Sequence, residues 1–205
     1  MNNSDEEKSL EVQPYYHYEA TVVQKIQHFY LSSAIGDAGY YADMINIIRS
    51  VTQNDVVYIH LNTPGGNIAT GIQIINAMKA SLGHVIVAVE SEVSSLGTLI
   101  FLSADEFIVH DNCLLMFHNY SGGTCGKAHE QHAQLEATMK WFNKLARQTY
   151  IPFMSEEEYS RIERGEDIYM MSDEVRDRLE NMVKKLEKEK NKKSKPKKKK
   201  RTKHK

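Results

Sequence analysis

Apolar residues recur in two rhythms along the chain. HFYLSS (28–33) reads as a short strand, and DVVYIHLN (55–62) and HVIVAVE (84–90) read as buried strands. A further short strand sits within ADEFIVHD (104–111), and CLLMFH (113–118) gives another. Helical spacing fills the intervals. AGYYADMINIIRSV (38–51) puts Tyr41, Met44, Ile45, Ile47 and Ile48 on one side, with Asp37 as its expected cap. IATGIQIINAMKAS (68–81) turns Ile72, Ile75, Ala77 and Met78 inward, and SSLGTLIFLSA (94–104) is an apolar helix. Strand and helix alternate with short connections, the mark of βαβ units on a parallel sheet. A long helix is predicted over Lys127–Tyr150, and S-E-E-E opens a capped one at Ser155–Arg164. SDEVRDRLENMVKKLEKEK (172–190) reads as one continuous charged helix.

Charge divides this pattern. The net charge of −1 over 205 residues conceals an acidic body and a basic end. Residues 184–205 hold 14 Lys and Arg against 2 acidic residues, leaving 12 basic and 25 acidic residues in the rest. We expect a flexible arm at 1–14, a folded domain at 15–183, and a disordered basic tail at 184–205, since the tail has no apolar face beyond Leu186. Such a tail is either solubilising or an electrostatic grip on nucleic acid or an acidic partner. No apolar run reaches the roughly 18–20 residues of a membrane helix. The polar, acidic start does not read as a secretory signal, so Cys113 and Cys125 are expected as reduced thiols in the cytoplasm.

Three segments carry candidate chemistry. Thr63–Gly66, T-P-G-G, closes a buried strand with two glycines that permit close backbone approach and leave N–H groups for a carbonyl oxygen. Alone it is also the pattern of a plain turn. Ser91–Gly97, S-E-V-S-S-L-G, places serines where a buried strand meets a helix. Ser94 is the expected N-cap, which leaves Ser95 beside free helix N–H groups. Leu114–Gly123, L-L-M-F-H-N-Y-S-G-G, ends an apolar run on His118 before a Gly-rich loop. A lone histidine there is ordinarily packed, and it acts as a base only beside a serine or an acid. Cys125, His129 and His132 are metal-ligand types, but no fourth ligand is evident, and we expect no metal and no cofactor.

Taken together, these segments resemble the ClpP family of serine peptidases, the proteolytic subunits of Clp protease. LNTPGG (61–66) matches the family's (S/T)-P-G-G turn, VSSLG (93–97) its nucleophile segment, and MFH (116–118) with Gly122 and Gly123 its M-I-H and Gly-Gly loop. The order and spacing agree over roughly residues 25–175. The resemblance implies an α/β fold, the ClpP/crotonase-like spiral of ββα units with a protruding handle helix. It implies Ser95 as nucleophile and His118 as base, with an oxyanion held by the N–H groups of Gly66 and Leu96. It also implies a substrate strand laid along Gly65, Gly66, Asn67 and Ile68. The family's triad aspartate falls near I-E-R-D-T. Here R-I-E-R-G-E-D-I puts Gly165 at that place, so Asp167 is favoured as the acid, with Glu166 the nearest substitute. After this point the family has a helix and a Gly-Leu return strand, where this chain continues its charged helix.

The resemblance further implies a homo-oligomeric ring, polypeptide substrates, and an ATP-dependent unfoldase as candidate partner. Trp141, Phe142 and Leu145 on the handle helix would be core or interface residues. Three alternatives stand beside the endopeptidase reading. One is a virus-encoded relative in a host cytoplasm that matures capsid or scaffold proteins with the same chemistry. Another is a catalytically inactive ring subunit. The third is crotonase-like thioester chemistry on the same fold.

Overall fold

In a computed structural model, which describes residues 18, 19 and 21–193, six strands form a single sheet in the order β1-β2-β3-β5-β6, with β4 paired to β3. The arm at 1–14 and the tail beyond residue 193 lie outside the described residues. The strands are β1 (Ile26–Leu31), β2 (Val56–Thr63), β3 (His84–Ser94), β4 (Glu106–Val109), β5 (Leu114–Phe117) and β6 (Ile168–Met171). The helices are α1 (Ala42–Ser50), α2 (Ile68–Ala80), α3 (Leu96–Phe101), α4 (Ala128–Tyr150), α5 (Glu156–Glu163) and α6 (Ser172–Lys193).

The parallel βαβ expectation holds for β1 to β5. β2 alternates, with Val57, Ile59, Leu61 and Thr63 buried. β3 is central, and Val85 to Val89 are all buried, as befits a parallel strand covered on both faces. β3 then changes partner. Ile86–Val89 pair with β4, whereas Glu92–Ser94 pair with β5. This switch carries the strand through the exposed stretch Glu90–Glu92 to its end at Ser94.

Several expectations need correction. The strand was expected to stop at residue 90, because E-S-E is polar; it continues because β5 takes over the hydrogen bonding. The following helix is correspondingly shorter, 96–101 instead of 94–104. Asp37 makes no side-chain cap. It precedes a 3-10 turn at Ala38–Tyr41, which it supports with its carbonyl (Tyr40 N–H, 3.1 Å). β6 was not anticipated. It is a four-residue antiparallel partner of β5, with Ile168 and Met170 buried and Tyr169 and Met171 exposed.

The other helices form close to where they are expected. Asn67 caps α2, its Oδ1 accepting from the N–H groups of Ala69 (3.0 Å) and Thr70 (3.2 Å). Ser155 and Glu158 form the capping box of α5. Arg178 on α6 grips Glu158 with two N–H groups (3.0 and 2.6 Å), fixing α5 against α6. α6 is continuous through residue 184 to Lys193, so the first basic residues are helical. On α4, Phe142 is buried while Trp141 is exposed.

Candidate active site

The site forms where three segment ends converge. β2 ends at Thr63 and opens into the Gly65–Gly66 turn, β3 ends at Ser94, and β5 ends at Phe117. Gly65 has φ +96 and Gly66 φ +144, in the region that favours glycine. One edge of this turn is already paired: Ile35 N–H donates to the Gly65 carbonyl (2.8 Å), and Asn67 N–H donates to the Ile35 carbonyl (2.8 Å). Backbone groups alternate along an extended segment. The Gly66 N–H therefore lies on the opposite edge, and it has no acceptor among the described residues.

Ser95 occupies a strained elbow with φ 57 and ψ −124. For a residue with a side chain this conformation is sparsely populated and needs surroundings that enforce it. Two backbone bonds do so: Ser95 N–H donates to the Met116 carbonyl (2.8 Å), and Thr98 N–H donates to the Ser95 carbonyl (3.0 Å). Ser95 holds the N-cap position of α3, yet its hydroxyl caps nothing. Ser94 is not the cap expected from the sequence. It ends β3 and donates to Glu92 Oε1 (2.9 Å), because the strand reaches further than its polar residues suggest. Gly65 packs directly against the elbow; a methyl group there would stand 2.8 Å from Ser95 Cβ and 3.0 Å from Leu96 N.

Gly66, Asn67, Ile68, Ser95 and Leu96 line one open cleft of about 290 Å3. Its other wall is Asn119 to Gly123, with Phe142 from α4. Asn119, Tyr120 and Ser121 were not singled out as site residues, although they directly follow His118, and Phe142 was expected only as a core or interface residue. A larger groove, about 680 Å3, runs between β4 and α6 along Phe107, Leu179 and Val183, but it holds no serine, cysteine or glycine turn.

His118 directly follows β5 and Asp167 directly precedes β6, and neither lines this cleft. Phe117 pairs with Ile168 in the antiparallel β5–β6 ladder. That is the last pair of the ladder, and His118 and Asp167 are the next residue on either side of it. Among the described residues no hydrogen bond links Ser95, His118 and Asp167, and Asp167 has no ion-pair partner. Glu166 is engaged elsewhere, 2.8 Å from Arg161 Nε and within 4.0 Å of Arg164. Gly165 stops α5 in the left-handed region (φ +94), its N–H bonded to the Ile162 carbonyl at 2.9 Å. An acid would be strained there. Asn119 Nδ2 donates to the Glu163 carbonyl (3.1 Å), tying the segment after His118 to the end of α5.

The Clp protease family model matches residues 21–191. The chain belongs to the Clp protease family. Its six-stranded α/β fold is the fold of that family. It is 31% identical over 86 residues to ATP-dependent Clp protease proteolytic subunit 2 of Pseudomonas aeruginosa, covering 41% of this chain and 42% of that one. It is 27% identical over 102 residues to the ATP-dependent Clp protease proteolytic subunit of Chlorella vulgaris (49% and 51%). It is 30% identical over 93 residues to the corresponding subunit of Streptococcus suis (43% and 47%). The chain thus matches about half the length of these curated relatives.

Within this Clp-family domain, no group of three or more His, Cys, Asp or Glu residues among those described is arranged to hold a metal ion. Cys113 is buried and Cys125 exposed, both as free thiols. No described helix is long and apolar enough to cross a membrane.

Proposed function

We propose that this Clp-family chain is a serine-type endopeptidase with Ser95 as nucleophile, His118 as general base and Asp167 as the acid that orients it. One observation carries the reading. The Ser95 hydroxyl, uncommitted to its helix, sits on a positive-φ elbow in the same cleft as the free N–H of Gly66. Ser95 Oγ attacks the peptide carbonyl carbon while His118 takes its proton. His118 then returns that proton to the leaving amine, and water releases the acyl group by the same steps in reverse order. The developing oxyanion is held by the N–H groups of Gly66 and Leu96. The substrate adds as a strand on the open edge of Gly65–Ile68. Asp167 is preferred to Glu166 because it directly precedes the strand paired with β5, whereas Glu166 is spent on Arg161.

The same reading extends to assembly. Leu135, Met139 and Trp141 expose apolar surface along α4, which fits a contact between subunits of a ring. The relatives named as ATP-dependent proteolytic subunits make an unfoldase the natural partner to test. Maturation of capsid or scaffold proteins by a virus-encoded relative would use the same chemistry and differ only in substrate.

The second reading, an inactive ring subunit, draws on the absence of hydrogen bonds between Ser95, His118 and Asp167 among the described residues. Catalytic hydrogen bonds are commonly long before substrate binds, so this does not outweigh the elbow. Hydrolysis of a fluorogenic peptide by the assembled protein separates the two. We expect turnover that Ser95→Ala abolishes. Turnover equal in wild type and Ser95→Ala, or absent from a well-assembled wild type, would sink the endopeptidase reading.

A further inference from the structure

The Ser95–Leu96 peptide is held from behind by two hydroxyls. Thr98, one turn into α3, is fully buried, and so is Tyr150, the last residue of α4. Thr98 Oγ1 donates to the Ser95 carbonyl at 2.7 Å, alongside the Thr98 N–H bond to the same oxygen at 3.0 Å. The Tyr150 phenol lies 2.7 Å from Thr98 Oγ1. A threonine hydroxyl has one hydrogen. Since Thr98 spends it on Ser95, Tyr150 must be the donor of the second bond, and the chain runs from the phenol through Thr98 to the Ser95 carbonyl. Burial pushes the Tyr150 phenol far up, so it keeps its proton throughout the working pH range.

A trans peptide unit is planar, and its C=O and N–H point in opposite directions. Anchoring the Ser95 carbonyl inward therefore aims the Leu96 N–H outward, toward the cleft that Leu96 lines. The backbone bond from Thr98 is what any helix start supplies. The hydroxyl pair is not. Two hydroxyls have been taken from water into the apolar run L-G-T-L-I-F, where each is costly unless bonded. Tyr150 also packs edge-on against Phe117, the neighbour of His118, with ring centroids 5.4 Å apart. The same side chain thus supports both the serine side and the histidine side of the cleft.

We propose that Thr98 and Tyr150 are positioning residues that set the Leu96 N–H for the oxyanion; the proposal rests on the endopeptidase reading above. The test uses the full chain in its assembled state, with Thr98→Val, Thr98→Ser, Tyr150→Phe and the double variant Thr98→Val/Tyr150→Phe. The readouts are kcat and KM on a fluorogenic peptide, the inhibition constant of a peptide aldehyde whose adduct carries an oxyanion, and the melting temperature. Removing an oxyanion donor outright costs roughly 10²–10³ in rate, so misaiming one in Thr98→Val should lower kcat about tenfold. Aldehyde affinity should fall by a similar factor with KM little changed, Thr98→Ser should restore both, and Tyr150→Phe should show a smaller loss. The double variant should match Thr98→Val alone, because the phenol acts through Thr98.

Variants that melt earlier yet keep wild-type kcat and aldehyde affinity would reduce the pair to a tie between α3 and α4 and overturn the proposal. If Thr98→Val does not fold, Tyr150→Phe decides the matter by the same split between kcat and KM. A wild type that neither turns over peptide nor reacts with a fluorophosphonate would instead overturn the endopeptidase reading itself. An active wild type with indifferent variants overturns only the positioning role.

Discussion

Gly66→Ala places a methyl group where the turn meets Ile35. The added carbon would stand 2.2 Å from the Ile35 carbonyl oxygen, 2.7 Å from its nitrogen and 2.9 Å from its carbonyl carbon. All three are backbone atoms, so no side-chain rotation relieves the clash, and the φ of +144 is strained for alanine. The turn must move away, breaking the Ile35–Gly65 and Asn67–Ile35 hydrogen bonds, both 2.8 Å. Two such bonds contribute about 1 kcal/mol each, and the backbone strain adds about 1–3 kcal/mol, for a loss of about 3–5 kcal/mol. For a domain of this size that corresponds to a melting temperature lower by about 6–20 °C. The shift also removes Gly66 N–H from the oxyanion position, which should cost roughly 10²–10³ in kcat. Gly39→Ala is the control, since nothing lies within 4 Å of a methyl group there. Scanning calorimetry and kcat on a fluorogenic peptide, read well below the lower melting point, give both numbers. A Gly66→Ala protein melting with wild type would show that Ile35 does not pin the turn. One that loses stability but keeps full kcat would show that Gly66 is not an oxyanion donor.

Three further outcomes follow from the same geometry. Arg178 and Ser155 hold the Glu158 carboxyl at about 2, below its ordinary 4.5. A lowered folded-state value stabilises above the ordinary carboxylate range and is lost as pH falls from about 4.5 toward 2, by at most about 3 kcal/mol. Urea titrations across that window should show the loss, and Glu158→Gln should flatten it; an unchanged slope in the variant refutes the pairing. Asp167→Asn should lower kcat by about 10² or more while Glu166→Gln stays within about twofold, measured on the same peptide, and the reverse ranking would transfer the acid role to Glu166. Deleting residues 194–205 should leave peptide cleavage intact but weaken salt-sensitive retention on an anionic resin, and a loss of cleavage at unchanged oligomeric state would contradict that division.

Much of the site was legible because its parts lie at the ends of strongly patterned elements. Val57, Ile59 and Leu61 mark β2 by alternation, and the strand delivers the glycine turn directly. Val85–Val89 mark β3 by a continuous apolar run, and His118 directly follows β5. What could not be read depends on tertiary partners. Ser94 and Ser95 look alike to a capping rule; only the pairing of β3 with β5 assigns the first to the strand and the second to the elbow. β6 is too short to show a period by itself, and it exists because β5 offers an edge. That edge, in turn, fixes the strand that Asp167 directly precedes, two residues after Gly165 has stopped α5. The bond between Thr98 and Tyr150 spans 52 residues, and neither residue stands out locally.

The central claim is that Ser95 is an activated nucleophile. It is tested most directly by treating the assembled protein with a fluorophosphonate and locating the adduct by peptide mass mapping. The account predicts modification at Ser95, none at Ser94, and loss of labelling in Ser95→Ala and His118→Ala. An unmodified Ser95 in a well-assembled sample, or labelling that persists without His118, would contradict it.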